Sequence, residues 1–518
     1  MKGAIAAGHP LTAEAGARVL AEGGNAVDAC IAAAFASWVA ESPLTGPGGG
    51  GFMLVHRARD SSTRVLDFFA AVPGLGLRRQ PGPEMTEINI DYEPGGGTQI
   101  FYIGAASCAV PGMAAGLEEA HRSFASLPWK TLLEPAVELA RDGIELNRSQ
   151  AYLHAIVDLI LRHTDEGREI YSRDGERLAA GDRLVQTDLA QTLDTLASDG
   201  AASLYTGELG RALTDYVQED GGEVTSRDLA GYRVIRRRPV RIRFLGHEVD
   251  SNPPPSSGGV LIGYGLLLLD RLGLGAHGSA EAIAQLVEVM REQNRARRGS
   301  FTGDLYRGGL AKRLHEEGSL AEGLERIRAG APGAAEPAAP RGTTHISVVD
   351  ERGNAASLSA TIGAGSGIIV PGTGIHVNNM LGEFDLAGAT RSGARITSMM
   401  APSLVLRDER PRLVVGSAGS VRLRGAILQI IVNSVGHGLP VKDAIGCPRV
   451  HLEEPQVQCE GGNDPDELDR LEAWGYDVLR WRRPNLYFGG AAAVEMQDEG
   501  GLAATGDPRR GGAGIVVE

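Results

Sequence analysis

Ala329 to Gly342 reads AGAPGAAEPAAPRG, and directly after it Thr343 to Val349 reads TTHISVV. The first stretch is small residues and proline, gives a core nothing to pack, and reads as an exposed linker. The second alternates like a strand. Asp350 to Asn354 (DERGN) makes a turn, and Ala355 to Ile362 returns as a second strand. A loose linker thus delivers a Thr to the first position of a buried sheet strand, although a plain domain boundary is an equally valid reading of that junction alone.

Working outward, Leu404 to Val415 (LVLRDERPRLVV) carries another hairpin signal, ending at Gly416-Ser417-Ala418-Gly419-Ser420. Upstream, Arg236 to Val249 (RRRPVRIRFLGHEV) alternates as one strand whose arginines read as a solvated face. Asn252 to Gly259 (NPPPSSGG) is a rigid turn into an apolar helix over Val260 to Leu269. Further helical stretches cover Pro128 to Gly143, Ala151 to Arg162, Leu189 to Ala197 and Gly207 to Gln218. Near the start, Leu11 to Trp38 suits two helices parted by Glu22-Gly23-Gly24-Asn25, a stop followed by an N-cap. The glycine run Gly46 to Gly51 enters a strand over Phe52 to His56. It lacks both GxGxxG and a Gly-Lys-Ser/Thr ending, so a nucleotide site is not expected there. Periodicity alone gives mixed α and β.

The chain has 518 residues, room for about three domains or one large multi-layer core. Hydrophobic residues make up 42% and charged residues 22%, ordinary globular usage. The formal charge of -14 spreads along the length, which argues against nucleic acid or anionic lipid as partners. Cys30, Cys108, Cys447 and Cys459 lie far apart without CxxC spacing, and read as reduced, mostly buried thiols rather than a zinc site or a disulfide framework. No metal-ligand cluster shows among the twelve histidines, and neither metal nor cofactor is expected. His345 shares the strand of Thr343 and reads as structural. The apolar start breaks at Gly8, His9 and Pro10, and no apolar run reaches the roughly 18 residues of a membrane helix, so the default expectation is cytoplasmic.

Taken together, several motifs resemble the γ-glutamyltransferases, the glutathione hydrolase family of N-terminal nucleophile hydrolases. They are Gly24-Asn25-Ala26-Val27-Asp28-Ala29, the Gly46 to Phe52 run, Val110-Pro111-Gly112, Pro253 to Gly259, and Thr343 to Asp350 with Gly353-Asn354. The resemblance implies a four-layer αββα sandwich and a proenzyme that cuts its own Gly342-Thr343 bond. The pieces, residues 1–342 and 343–518, would stay associated as one composite fold. A Thr hydroxyl needs an adjacent base, and only an N-terminal Thr carries an α-amino group, of pKa about 8, to serve as one. By the same resemblance Thr361 is the second Thr that supports the nucleophile, an ordinary strand Thr being the alternative. Gly419 and Ser420 stand where the family has a Gly-Gly pair whose N–H groups form the oxyanion hole.

Recognition of the substrate departs from the family pattern. The family's Arg-Glu-Met-Ala-Pro run reads Phe69-Ala70-Ala71-Val72-Pro73 here, so Phe69 replaces the usual carboxylate-binding Arg, with Arg78 a displaced substitute or a plain surface residue. The family's Asn aligns with Gly363, its Gln with Met380 and its Asp with Glu383, while Thr397-Ser398 preserve a hydroxyl pair for the donor carboxylate. Three readings stay open. One is cleavage of a γ-glutamyl-type amide by hydrolysis or transfer. Another is a secondary-metabolite relative, as in antibiotic biosynthesis, acting on a non-glutamyl amide or a carbon-carbon bond next to an oxalyl-type carbonyl, with Phe68, Phe69 and Met380 lining an apolar pocket or simply in the core. The last is an unprocessed, inactive binding or scaffold module.

Overall fold

TTHISVV lies in the strand Gly342–Asp350, and the turn after it returns the chain as Ala355–Gly363. The computed structural model describes residues 1–77, 84–91, 98–330, 342–383, 391–498 and 500–518. The hairpin sits inside a seven-stranded antiparallel sheet, ordered Ile235–Arg237, Ser62–Phe68, Gly50–Arg57, Ala355–Gly363, Gly342–Asp350, Gly3–Ala7 and Ala513–Val517. A second antiparallel sheet, of six strands, runs Val240–Phe244, His247–Ser251, Ser403–Arg407, Arg410–Ala418, Gly490–Met496 and Leu502–Gly506.

Alternate side chains of a strand leave on opposite faces, so a sheet between two apolar layers must be apolar on both. Ile5, Met53, Val55, Ile346 and Val348 join the core under the first helical layer, while Ala4, Ala6, Phe52 and Leu54 join the core shared with the second sheet and the helices Gly258–Leu272 and Arg422–Ile431. The order is helix, sheet, sheet, helix, as the four-layer expectation has it. The helix Ala26–Ala40 is buried along its whole length, which its Ala, Val, Ile and Phe content permits. Its start is fixed by a capping box: Asn25 Oδ1 accepts the Val27 and Asp28 amides, and Asp28 accepts the Asn25 amide at 2.8 Å. Asp28 also accepts both the amide and the hydroxyl of Ser126 and the amide of Leu127.

The two predicted N-terminal helices are Pro10–Ala21 and Ala26–Ala40, the glycine run enters the strand Gly50–Arg57, and all four cysteines are free thiols, three of them buried. Arg236 to Val249 is a correction. It is three strands rather than one: Ile235–Arg237 belongs to the first sheet, and after Arg238-Pro239 the chain crosses to form Val240–Phe244 and His247–Ser251 in the second. Proline cannot donate to a ladder, and the break falls there. Its arginines meet carboxylates, Arg237 at Asp67 (2.7 Å) and Arg241 at Asp250 (2.7 and 2.8 Å). Residues 331–341 of the linker lie outside the described residues.

Because Asp28 collects donors from two separate segments, its loss should exceed that of a simple cap. Asn25→Ala is expected to cost about 1 kcal/mol, and Asp28→Ala about 3 kcal/mol, since several buried donors lose their acceptor. Thermal unfolding of the two variants beside the parent checks the order.

Candidate active site at the start of the Gly342–Asp350 strand

The hairpin is out of register at its open end. Gly342 pairs with Gly363 but Thr344 pairs with Ala360, so Thr343 is faced by two residues, Thr361 and Ile362. An extra residue of this kind re-aims side chains locally. Thr361 Oγ1 donates to the Gly342 carbonyl and accepts the Gly363 amide at 2.7 Å. The carbonyl preceding Thr343 therefore carries a hydroxyl donor held in place by its own strand. Thr343 is buried, and its carbonyl accepts Arg510 Nη1 at 2.8 Å.

Direction follows from alternation. His345 lies over Gly416 of the second sheet, where a Cβ would come within 2.2 Å of its ring, and Ser347 Oγ donates to Ala492 O in the same sheet. Thr343 shares their face, toward the second sheet. His345 bonds Ser359 Oγ (2.9 Å) and Ser347 Oγ (3.0 Å), and burial holds its imidazole down at about 3. A ring kept neutral between two hydroxyls braces the layers, as the sequence suggested.

Arg510 also brings in the Gly419-Ser420 turn. Its side chain lies along Gly490, which pairs with Ala418, the residue before Gly419. Gly419 (φ 120°) and Ser420 (φ 62°) both hold positive φ as the chain leaves its strand for the helix Arg422–Ile431. Ser420 is fully buried there, in a backbone state costing a non-glycine residue of order 1–2 kcal/mol. The turn opens a helix N-terminus, where backbone N–H groups favour negative charge.

The glycine run packs against Thr361. A Cβ at Gly49 would lie 2.4 Å from Thr361 O, and one at Gly51 2.4 Å from Ser359 O, so the glycines exist for close backbone approach rather than to cradle phosphate. Gly49 O accepts the Gly112 and Met113 amides, which is where Val110-Pro111-Gly112 enters the site. Gly50 in turn abuts Ala70, whose carbonyl accepts the Ile396 amide, so the segment bearing Thr397 and Ser398 lies at the same end of the sandwich. Pro253 to Gly259 holds that segment: Ser256 Oγ and the Ser257 amide and hydroxyl all donate to Ser398 O. Ser398 Oγ accepts the Met400 amide.

Phe69 is in the core between the sheets, stacked on Phe52 with ring centres 5.5 Å apart, and Met380 belongs to the same core. Phe68 faces the opposite layer. The buried guanidinium of Arg395 binds the Phe69 and Arg233 carbonyls (2.7 Å each) and stands 3.0 Å from Asp67, so it serves the framework. Arg78 lies outside the described residues.

At Gly363 (φ +73°) a Cβ would sit 2.0 Å from Asn379 Oδ1 and 2.8 Å from Glu383 Oε1. No side chain fits there; Asn379 and the buried Glu383 hold the space instead. Asn379 accepts the Ala364 amide (2.9 Å) and donates to Tyr102 O, while its neighbour Asn378 joins Gly48, Ala109 and Met380. Asn379 and Arg510 are the site residues that sequence reasoning missed. The only hint of the first was the Asn-Asn pair before Met380; nothing local marks the second.

A profile of the family described as Gamma-glutamyltranspeptidase matches residues 12–517. The chain is 30% identical to the glutathione hydrolase proenzyme of Escherichia coli K12, with 98% of this chain and 90% of that one covered. It is 32% identical to the Acylase ACY 1 proenzyme of Pseudomonas sp. SE83, covering 100% and 94%. In structure it superposes on the cephalosporin acylase of Bacillus halodurans with a TM-score of 0.85 at 24% identity, over 100% and 96% of the two chains. Motifs, layer order and these likenesses agree: the chain belongs to the γ-glutamyltranspeptidase family of hydrolases and acyltransferases.

Proposed function

We propose that this family member processes itself at Gly342-Thr343 and then uses Thr343 as its nucleophile on an amide. The observation that carries the reading is the Thr361 hydroxyl donating into the Gly342 carbonyl, the bond to be cut. Thr343 Oγ1 attacks that carbonyl while the negative charge gathers on an oxygen already bonded to Thr361. The C–N bond breaks, the nitrogen takes the hydroxyl proton and becomes the α-amino group of Thr343, and Gly342 is left as an ester. Water hydrolyses the ester, freeing the Gly342 carboxylate. In the second reaction the new amine takes the Thr343 hydroxyl proton, the oxygen attacks the substrate carbonyl, and the proton passes to the leaving amine. Water or an acceptor amine then removes the acyl group. The Gly419-Ser420 turn, at a helix start and joined to Thr343 through Arg510, supports a role for its backbone N–H groups toward the oxyanion.

For the acyl donor, the first reading is a γ-glutamyl-type amide, as the name of the Escherichia coli relative suggests. Support comes from Glu383 and Asn379, acceptors placed beside Gly363 where an ammonium group could be met. A second reading, a non-glutamyl acyl group of the kind cleaved by acylases, draws on Phe69. A ring packed in the core replaces the family's guanidinium, and the Thr397-Ser398 hydroxyls are then the polar partners for a less charged acyl end.

Intact-mass measurement should find fragments 1–342 and 343–518 in the parent and one uncut chain in Thr343→Ala. Release of p-nitroaniline from γ-glutamyl-p-nitroanilide by the cut parent supports the γ-glutamyl reading, and cleavage without release moves the substrate to a non-glutamyl acyl group. Thr361→Val should slow self-cleavage by about a hundredfold, the scale of one lost oxyanion donor. Ser420→Gly keeps the backbone N–H and relieves its strained φ, so cleavage should stay within about threefold of the parent, a small change in barrier.

A further inference from the structure

The strand that carries Thr343 is supported on one side only at its start. Gly3–Ala7 runs beside it but its last pair is Ala7 with Ile346, so residues 343–345 extend beyond that neighbour. Strand ends without a partner fray, and a nucleophile on such an end loses its alignment. The chain turns at Gly8 toward the helix Pro10–Ala21, and on the helical-layer face of the strand stands Glu41, the residue that caps the helix Ala26–Ala40. Thr344 Oγ1 donates to Glu41 Oε2 at 2.5 Å, and Thr12 Oγ1 donates to Glu41 Oε1 at 2.9 Å. Gly8 makes the room: a Cβ there would sit 2.3 Å from Glu41 Oε2 and 3.1 Å from Thr344 Oγ1.

We propose that Glu41 is a positioning residue for Thr343, holding the start of its strand by gripping the Thr344 hydroxyl. Adjacent side chains of a strand leave on opposite faces, so fastening Thr344 toward the helical layer turns Thr343 toward the second sheet. Arg510 on the Thr343 carbonyl is the other half of the clamp, and together the two residues fix both sides of the Thr343-Thr344 peptide. Burial pushes the Glu41 carboxyl above its usual range, with the Thr344 and Thr12 hydroxyls and the Arg510 charge pulling the other way. A glutamine there keeps one acceptor oxygen for the Thr344 hydroxyl and turns an N–H toward the Thr12 hydroxyl, which can accept it.

The inference rests on Thr343 being the nucleophile. The test compares Thr344→Ala, Thr344→Ser and Glu41→Gln with the parent, each full-length chain made by cell-free synthesis and followed by intact mass from the uncut precursor. Ser and Ala differ at this site by the hydroxyl alone, and thermal midpoints check that both fold. Thr344→Ser and Glu41→Gln should cut with half-times within about threefold of the parent, and Thr344→Ala about tenfold more slowly or worse, since misplacing a reacting group by an ångström costs that much or more. Equal half-times for Thr344→Ala and Thr344→Ser would overturn the role of Glu41 and leave Thr343 untouched. A parent that never cuts at Gly342-Thr343 would overturn the nucleophile, and this inference with it.

Discussion

The structure turns on one hydroxyl and one carbonyl. Thr361 can reach the Gly342 carbonyl because its strand carries one residue more than its partner between two points of regular pairing. The surplus lies in close-packed surroundings: the glycine run on one side, Pro43 and Leu44 against Gly342, and the Asn379 and Glu383 side chains at Gly363.

Much of this was legible in the sequence because the signals are local. Asn25 and Asp28 announce a helix start within four residues, and the turn Asp350 to Asn354 sits between two alternating runs. Arg236 to Val249 misled because its alternation has the same period in either sheet, and only the place of Pro239 marks the crossing. Asn379 and Arg510 were not legible for another reason. Each acts on backbone far away along the chain, Asn379 on the Tyr102 carbonyl and Arg510 on a carbonyl 167 positions earlier, and beyond the Asn-Asn pair nothing in their own neighbourhoods marks them.

Around Phe69 the framework closes on its own groups. The Phe69 ring packs between the sheets, and the charge nearby is balanced by Arg395, which meets Asp67 and donates to the Phe69 carbonyl. The framework is thus satisfied without any group at that position reaching for a carboxylate. At Gly363 the space beside the backbone is held by two side chains of a later segment, Asn379 and Glu383.

The order of the first sheet has a consequence for how the protein can be remade once it is lost. Strands from before and after residue 342 are interleaved in it, with Gly342–Asp350 lying between Ala355–Gly363 and Gly3–Ala7. An uncut chain folds in a single-molecule event. A chain cut at Gly342-Thr343 has to find its other half again, with an encounter step that depends on concentration and that dilution makes slower. Such a cut form would persist chiefly because it opens slowly, and its working lifetime would be set by a rate of unfolding rather than by a balance.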